Sequence, residues 1–252
     1  MLLQLAVSGL ALGSMYGLVA LGYHITWVTS RTMNFSQGHA VMAGAVVAWG
    51  LHVGAGWPFA AALPATLVAA ALFGALVERV AVRPFFNAAS PVWLLSTIAF
   101  GIIAENVAML AFGKDARAFP SALATKPVLI AGAGVYQAAG LMGIRIPRAV
   151  LTAYALSSAL AGAAGVLLAP LLNVAPTMGT LIGLKAFAVA IIGGLDSAGG
   201  IVVAGLLYGL IESFVAGYLS TGAREIVGFA VVIFMLMVRP WGLGGSRPAR
   251  RV

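Results

Sequence analysis

Cysteine is absent from this chain. That excludes disulfides, thiolate catalysis and zinc–thiolate sites, and leaves the redox compartment undetermined. Charge is scarce as well: Asp, Glu, Lys and Arg make up 8% of the 252 residues, and Met1 to Ser30 holds none of them. Apolar residues make up 62%, more than the interior of a soluble domain of this length can hide. No Gly-x-x-x-x-Gly-Lys-Ser/Thr loop occurs, so ATP is not bound in P-loop fashion. No Gly-x-Ser-x-Gly nucleophile motif occurs either. The N-terminus lacks the basic region of a signal peptide and its apolar run is too long for one, so it reads as a first span. His24, His39 and His52 show no His-x-x-x-His or Glu-x-x-His spacing. They read as polar fillers near interfaces rather than as metal ligands.

What is present is a series of apolar runs of roughly twenty residues, the length that ~30 Å of hydrocarbon demands at ~1.5 Å per residue. Short charged clusters separate them. The formal charge of +8 sits at the ends of these runs, as cytoplasmic anchors do, and does not point to nucleic acid. The chain therefore reads as an all-α, polytopic helical membrane protein of about 7–8 spans, with residues 1–252 forming one transmembrane domain.

The first span runs from about Leu3 to Val28 and is closed by Arg31; Asn34 to His39 makes a polar break. The second, Ala40 to Val53, is short unless the break dips into the membrane. Trp57-Pro58 is an interfacial turn. A third span ends near Val80, beside Arg79 and Arg83, and a fourth covers Pro91 to Phe112. A polar loop holds Lys114, Asp115, Arg117 and Lys126. Later spans cover Ala149 to Leu172, Met178 to Leu195, Ile201 to Leu219 and Ile226 to Val238. The Gly193–Gly200 segment is a tight turn. The tail carries Arg239, Arg247, Arg250 and Arg251.

Basic residues favour the cytoplasmic side. Walking forward from Arg31 inside puts Arg79 and Arg83 inside and the Lys114–Lys126 loop outside. Walking back from the tail puts Arg145 and Arg148 inside. The two walks agree only if 127–144 crosses. Those eighteen uncharged residues would reach ~27 Å as a helix, but they hold four glycines. An extracytoplasmic hairpin is the alternative.

Ionisable groups inside spans are costly and mark function or structural pairing. Lys185, Glu105 and Glu212 each fall about seven residues, or ~10 Å, from the outer end of a span. They either line a polar path or form an ion pair that keeps the spans in register. Gly9, Gly13 and Gly17, like Gly205 and Gly209, repeat every four residues and permit close helix contact, within the chain or between subunits.

Several segments taken together resemble the LivH-type permeases of branched-chain amino acid ABC importers. They are Met33-Asn34-Phe35-Ser36-Gln37-Gly38-His39, the loop Phe112 to Pro120, Gly183-Leu184-Lys185-Ala186-Phe187, the turn Gly193-Gly194-Leu195-Asp196-Ser197-Ala198-Gly199-Gly200, Tyr218-Leu219-Ser220 and Arg239-Pro240-Trp241-Gly242-Leu243. The resemblance covers nearly the whole chain. It implies a non-catalytic, cofactor-free permease subunit in the bacterial inner membrane. The implied partners are two ABC ATPase subunits, a second permease and an extracytoplasmic solute-binding protein. Such permeases dock on the ATPase through a cytoplasmic Glu-Ala-Ala-x-x-x-Gly-like loop. Ala138, Ala139 and Gly143 match its core, with Arg145 and Arg148 following. Asn34, Phe35 and Gly38 carry the motif after the first span; Gly193, Gly194, Asp196 and Gly200 carry the cytoplasmic turn. Members of the family have another full span before the coupling loop. Its absence implies an internal deletion near 137–138 of roughly forty to fifty residues, one ~20-residue span with its loops. The rival reading is a stand-alone secondary transporter or channel in which Lys185, Glu105 and Glu212 relay ions. An intramembrane enzyme lacks any placed nucleophile and base.

Overall fold

The computed structural model describes residues 2–85, 91–120 and 146–245. Among these, eight α-helices follow one another: α1 (Leu2–Ser30), α2 (Gln37–Trp49), α3 (Phe59–Val77), α4 (Val92–Phe112), α5 (Ile146–Leu172), α6 (Met178–Gly193), α7 (Ala198–Tyr218) and α8 (Thr221–Val238). Wide turns extend α2 through Gly54 and α3 through Val82, and a tight 3-10 turn, Arg83–Phe85, follows the latter. Five runs are long and apolar enough to cross a bilayer: 2–30, 59–85, 92–112, 149–172 and 198–218. The one β-like contact among the described residues is an isolated bridge between Arg117 and Val174.

Glycine seams set the core. α1 lies antiparallel along α7, where a side chain on Gly13 would strike the Gly205 carbonyl and one on Gly209 the Gly9 carbonyl. The repeating glycines thus join two helices of the same chain. α5 lies along α3 in the same way: Gly74 faces Tyr154 and Ser158, and Gly162 faces Ala70. In lipid, such close backbone approach replaces the hydrophobic drive that packs soluble helices. Around the α1–α7 seam, Tyr16, Val19, Ala20 and Tyr23 pack with Ala186, Val189, Ile201 and Ala204.

Two helices start inside the bundle. After Ser30 the chain turns at Arg31, whose φ is 55°, and folds back so that Asn34, Ser36 and Gln37 are fully buried. Gln37, the first residue of α2, bonds at the level of Gly22: its Nε2 donates to Ser157 O at 3.0 Å, and Ser157 Oγ donates to Gly22 O at 2.9 Å. Gly22 is eight residues short of the end of α1, so α2 starts ~12 Å inside it. α6 repeats the arrangement from the other end. It follows a second irregular stretch, 173–177, with Asn173 at φ 62°. Its first turns then pass so close to α2 that a side chain on Gly38 would collide with Gly179 and Gly183. Each half of the chain is therefore a long helix, a break, a short helix and two further helices, and the halves run in opposite directions.

The ends of the bundle are defined by contacts. At one end Arg31 pairs with Asp196 at 2.9 Å; Val150, near the start of α5, packs with Val82 at the exit of α3. At the other end Trp49, Phe112, Phe119 and Val174 pack together. Residue 120 and residue 146 therefore lie at opposite ends of α5, which is ~40 Å long. The segment expected to join them, 127–144, lies outside the described residues, as do the tail arginines 247, 250 and 251.

Candidate functional site

The break after α1 is held by one local polar contact and one to α4. Asn34 Oδ1 accepts from Ser36 N at 3.0 Å, and Ser36 Oγ donates to the Thr97 carbonyl. That fixes Phe35 beside Phe187 of α6, with ring centroids 5.2 Å apart. Tyr23 OH reaches Gly183 O at 3.3 Å. Thus Asn34, Phe35 and Gly38 sit at the inner start of α2, where α1, α2, α4 and α6 converge.

A cavity of about 350 Å³ opens there, lined by Phe35, Phe187, Ile98, Ile102, Leu184 and the backbone of Gly38, Gly179 and Gly183, with His39 and Thr180 as its polar members. Glu105 of α4 is fixed at this place. Its Oε2 lies 3.2 Å from His39 Nε2 and accepts from Thr180 Oγ1 at 2.7 Å. The His39 and Glu105 side chains are 9% and 18% exposed. The nearness of Gly101 explains why α4 can sit here: a side chain at that position would meet the His39 ring at 2.5 Å.

Lys185 lies elsewhere. Its Nζ donates to Glu212 Oε1 of α7 and, at 2.8 Å, to Glu225 Oε1 of α8. Arg224 Nε approaches Glu212 Oε1 at 3.2 Å, and its Nη2 lies 3.6 Å from Glu225 Oε1. Lys185 and Glu212 are 2% and 1% exposed. Two cations and two carboxylates cancel. The Tyr16 ring covers the ammonium, 5.9 Å from its centroid.

The structure thus brings Lys185 and Glu212 together and leaves Glu105 out. The reason is angular. Thr180 and Lys185 are five residues apart on α6, ~140° around a helix of 3.6 residues per turn. Glu105 meets the Thr180 side and Glu212 the Lys185 side. Sequence reading missed Arg224 and Glu225 because charges before an apolar run look like a loop. α8 begins at Thr221 instead of Ile226: Ser220 caps it by accepting from Ala223 N at 3.1 Å. It missed His39 and Thr180 because the Glu105–His39 pairing spans 66 positions and depends on how helices pack.

The Gly-rich turn closes the Asp196 end. Gly194 has φ 89°, a conformation that costs glycine little. Gly193 O and Ile192 O accept from Gly244 N at 2.9 Å and Leu243 N at 2.8 Å, which ties the tail to the turn. A side chain on Gly200 would strike the Gly193 carbonyl. Asp196 takes Arg31 and, at 3.2 Å, Trp27 Nε1. The other histidines are separate: His24 Nδ1 meets Leu195 O at 2.7 Å and His52 Nδ1 meets Trp57 O at 2.8 Å. Among the described residues no group of three His, Asp or Glu side chains is placed to hold a metal. Ala138, Ala139, Gly143 and Arg145 lie outside the described residues. Arg148 falls in the first turn of α5.

Comparison with known proteins agrees with this architecture. The family model "Branched-chain amino acid transport system / permease component" matches residues 5–135 and 129–238. The high-affinity branched-chain amino acid transport system permease protein LivH of Escherichia coli is 29% identical over 300 residues, covering 99% of this chain and 97% of that protein. The permease protein BraD of Pseudomonas aeruginosa is 28% identical over 301 residues, covering 99% and 98%. A probable LivH permease of Methanocaldococcus jannaschii is 32% identical over 111 residues, 41% of this chain and 35% of that one. No solved structure matches. With both halves matched by one model, the chain belongs to the family of permease components of branched-chain amino acid transport systems.

Proposed function

We propose that this chain is the membrane-embedded, non-hydrolysing permease subunit of an ATP-driven importer for branched-chain amino acids. The observation that carries the reading is the pair of short helices, α2 and α6, that start inside the bundle and meet at Gly38, Gly179 and Gly183 beside a cavity. Irregular backbone at membrane depth is tolerated where it is buried in protein or lines a cavity, and interrupted helices in corresponding positions of two inverted halves are a mark of transporters. The names of the relatives supply the solute class.

The partners follow from that class. Two ATPase subunits drive the cycle, a second permease completes the path, and an extracytoplasmic binding protein delivers the solute, all at the bacterial inner membrane. Coupling falls to residues 138–148, leading into α5 at the end where Val150 packs under Val82. A shortened connection before it is supported by two facts. The family model matches in two pieces that overlap at 129–135, and the LivH alignment runs over 300 positions against the 252 residues of this chain. Residues 120 and 146 at opposite ends of α5 favour a segment that crosses.

The test is uptake and pull-down with the assembled complex. Gly143→Asp, or Ala139→Asp, is expected to lose the co-purifying ATPases and ATP-dependent uptake together, since a groove that seats small residues has no room for a hydrated carboxylate. Undiminished ATPase binding and uptake would remove the coupling assignment. Leucine uptake driven by an ion gradient without ATP would replace the importer reading with a stand-alone transporter.

A further inference from the structure

We infer that the cavity between α1, α2, α4 and α6 is the binding site where this permease holds the transported amino acid, with the aliphatic side chain among Phe35, Phe187, Ile98, Ile102 and Leu184 and the ammonium on Glu105. The inference rests on the importer reading above and adds the residues that read the solute.

Three features of the site match three parts of one molecule. The body of the cavity is apolar and aromatic, and its ~350 Å³ lies at the small end of ligand pockets, which suits a branched four-carbon chain. At its polar edge, Glu105 has one carboxylate oxygen fixed by His39 and Thr180. Its other oxygen, Oε1, has no protein hydrogen-bond partner among the described residues. The Glu105 side chain is 18% exposed, which leaves this oxygen open to a cation, and His39 and Thr180, which fix the other oxygen, both line the cavity. The helix turns that bound the site are N-terminal, Gly38 of α2 and Gly179 of α6. The positive ends of two helix dipoles suit a carboxylate. A zwitterion with an aliphatic side chain satisfies all three; a sugar or a metal ion satisfies at most one. Glycine at 38, 179 and 183 has a second effect here: without side chains at these positions, α2 and α6 bring backbone to the cavity wall.

The mouth of the cavity lies between α4 and α6. Ile102 and Leu184 are half exposed there, so bulk at Ile102 enters the cavity without cutting into the seams that hold the bundle.

The experiment uses the complete complex in proteoliposomes, with ATP and excess binding protein, and follows L-leucine uptake and labelling by photo-leucine during turnover. Wild type is expected to carry the photo-label on the peptides of α4 and α6. Ile102→Trp is expected to lower leucine uptake at least tenfold and to remove that label. Val68→Trp, at an exposed α3 position away from the cavity, is expected to change neither. Unchanged leucine uptake in Ile102→Trp, or a photo-label confined to other helices, overturns the site while leaving the importer reading standing. To guard against a misfolded variant, Ile102→Ala enlarges the cavity and is expected to raise phenylalanine uptake relative to leucine at least threefold; an unchanged ratio also overturns the site. A wild-type complex that moves no leucine with ATP defeats the importer reading itself, which is a different result from a permeable complex indifferent to residue 102.

Discussion

α6 carries a polar cluster on each side, and the two differ in one respect that matters. Lys185 is sealed against Glu212, Glu225 and Arg224, with its charges balanced and almost no solvent contact. Thr180, between one and two turns away, helps to hold Glu105 at the edge of a cavity, with no Lys or Arg among the described residues paired to it. A closed, neutral quartet ties α6, α7 and α8 in fixed register. Unpartnered oxygens do not separate the two, since Glu212 Oε2 and Glu225 Oε2 lack partners as well; what sets Glu105 apart is its unbalanced charge and that its partners His39 and Thr180 line a cavity. Burial of ions alone does not tell structure from function in a membrane bundle; whether the charges cancel does.

Breaking the sealed cluster has the largest expected effect. Lys185→Met leaves the quartet with a net charge of −1 in low dielectric, and loss of one partner of a buried pair costs about 3–5 kcal/mol. The folded permease is expected to fall steeply in membrane yield and thermal stability. Adding Glu212→Gln restores neutrality and recovers much of the loss. Adding Glu225→Gln restores the same net charge but recovers less, because Glu225 is 34% exposed and Glu212 is 1% exposed. Melting of the detergent-solubilised complex ranks the three; equal melting of both double variants would show that depth does not govern this cluster.

How much of this was legible in the sequence follows the physics. Apolar runs of bilayer length need no partner to be recognised, so α1, α4 and α5 begin and end within a few residues of their expected limits. Lys185 and Glu212 stand out because charge is so rare in the spans. The second span reads as short unless the polar break dips into the membrane, and the burial of Asn34, Ser36 and Gln37 fits a break that dips. Two pairings were not legible, Lys185 with Glu225 and Glu105 with His39. Lys185 reaches Glu225 only because the Ser220 cap starts α8 early, and Glu105 reaches His39 only because Gly101 lets α4 close on α2. Both depend on the rotation of one helix against another, which spacing along a single chain does not carry.

The open cluster gives a middle-sized effect of a different kind. Glu105→Gln keeps an oxygen for Thr180 and removes the charge. The stability loss is expected to be about 1 kcal/mol, the scale of a single hydrogen bond. Transport is expected to suffer more: the apparent KM for leucine rises several-fold while the amount of assembled complex holds near wild type. That split is the reverse of the Lys185→Met outcome, where yield falls first. A Glu105→Gln complex as unstable as Lys185→Met would place both clusters in the same structural role and dissolve the contrast between the two sides of α6.

The smallest effect belongs to the Asp196 end, which serves as the reference for both clusters. Arg31 and Asp196 lie 2.9 Å apart with side chains 65% and 58% exposed, and exposed pairs of this kind contribute about 0–1 kcal/mol. Asp196→Asn keeps an oxygen for Trp27 Nε1 and removes only the ion pair. Thermal stability is therefore expected to drop by no more than about 4 °C at low ionic strength, taking ~2–4 °C per kcal/mol for chains of this size. Even that difference should vanish near ~1 M salt, where the screening length is ~3 Å. The Lys185→Met deficit is expected to survive the same salt, because Lys185 and Glu212 are only 2% and 1% exposed. A deficit at Lys185 that salt erases as it does at Asp196 would mean that solvent reaches the Lys185–Glu212 pair, and the division into a closed and an open side of α6 would fail.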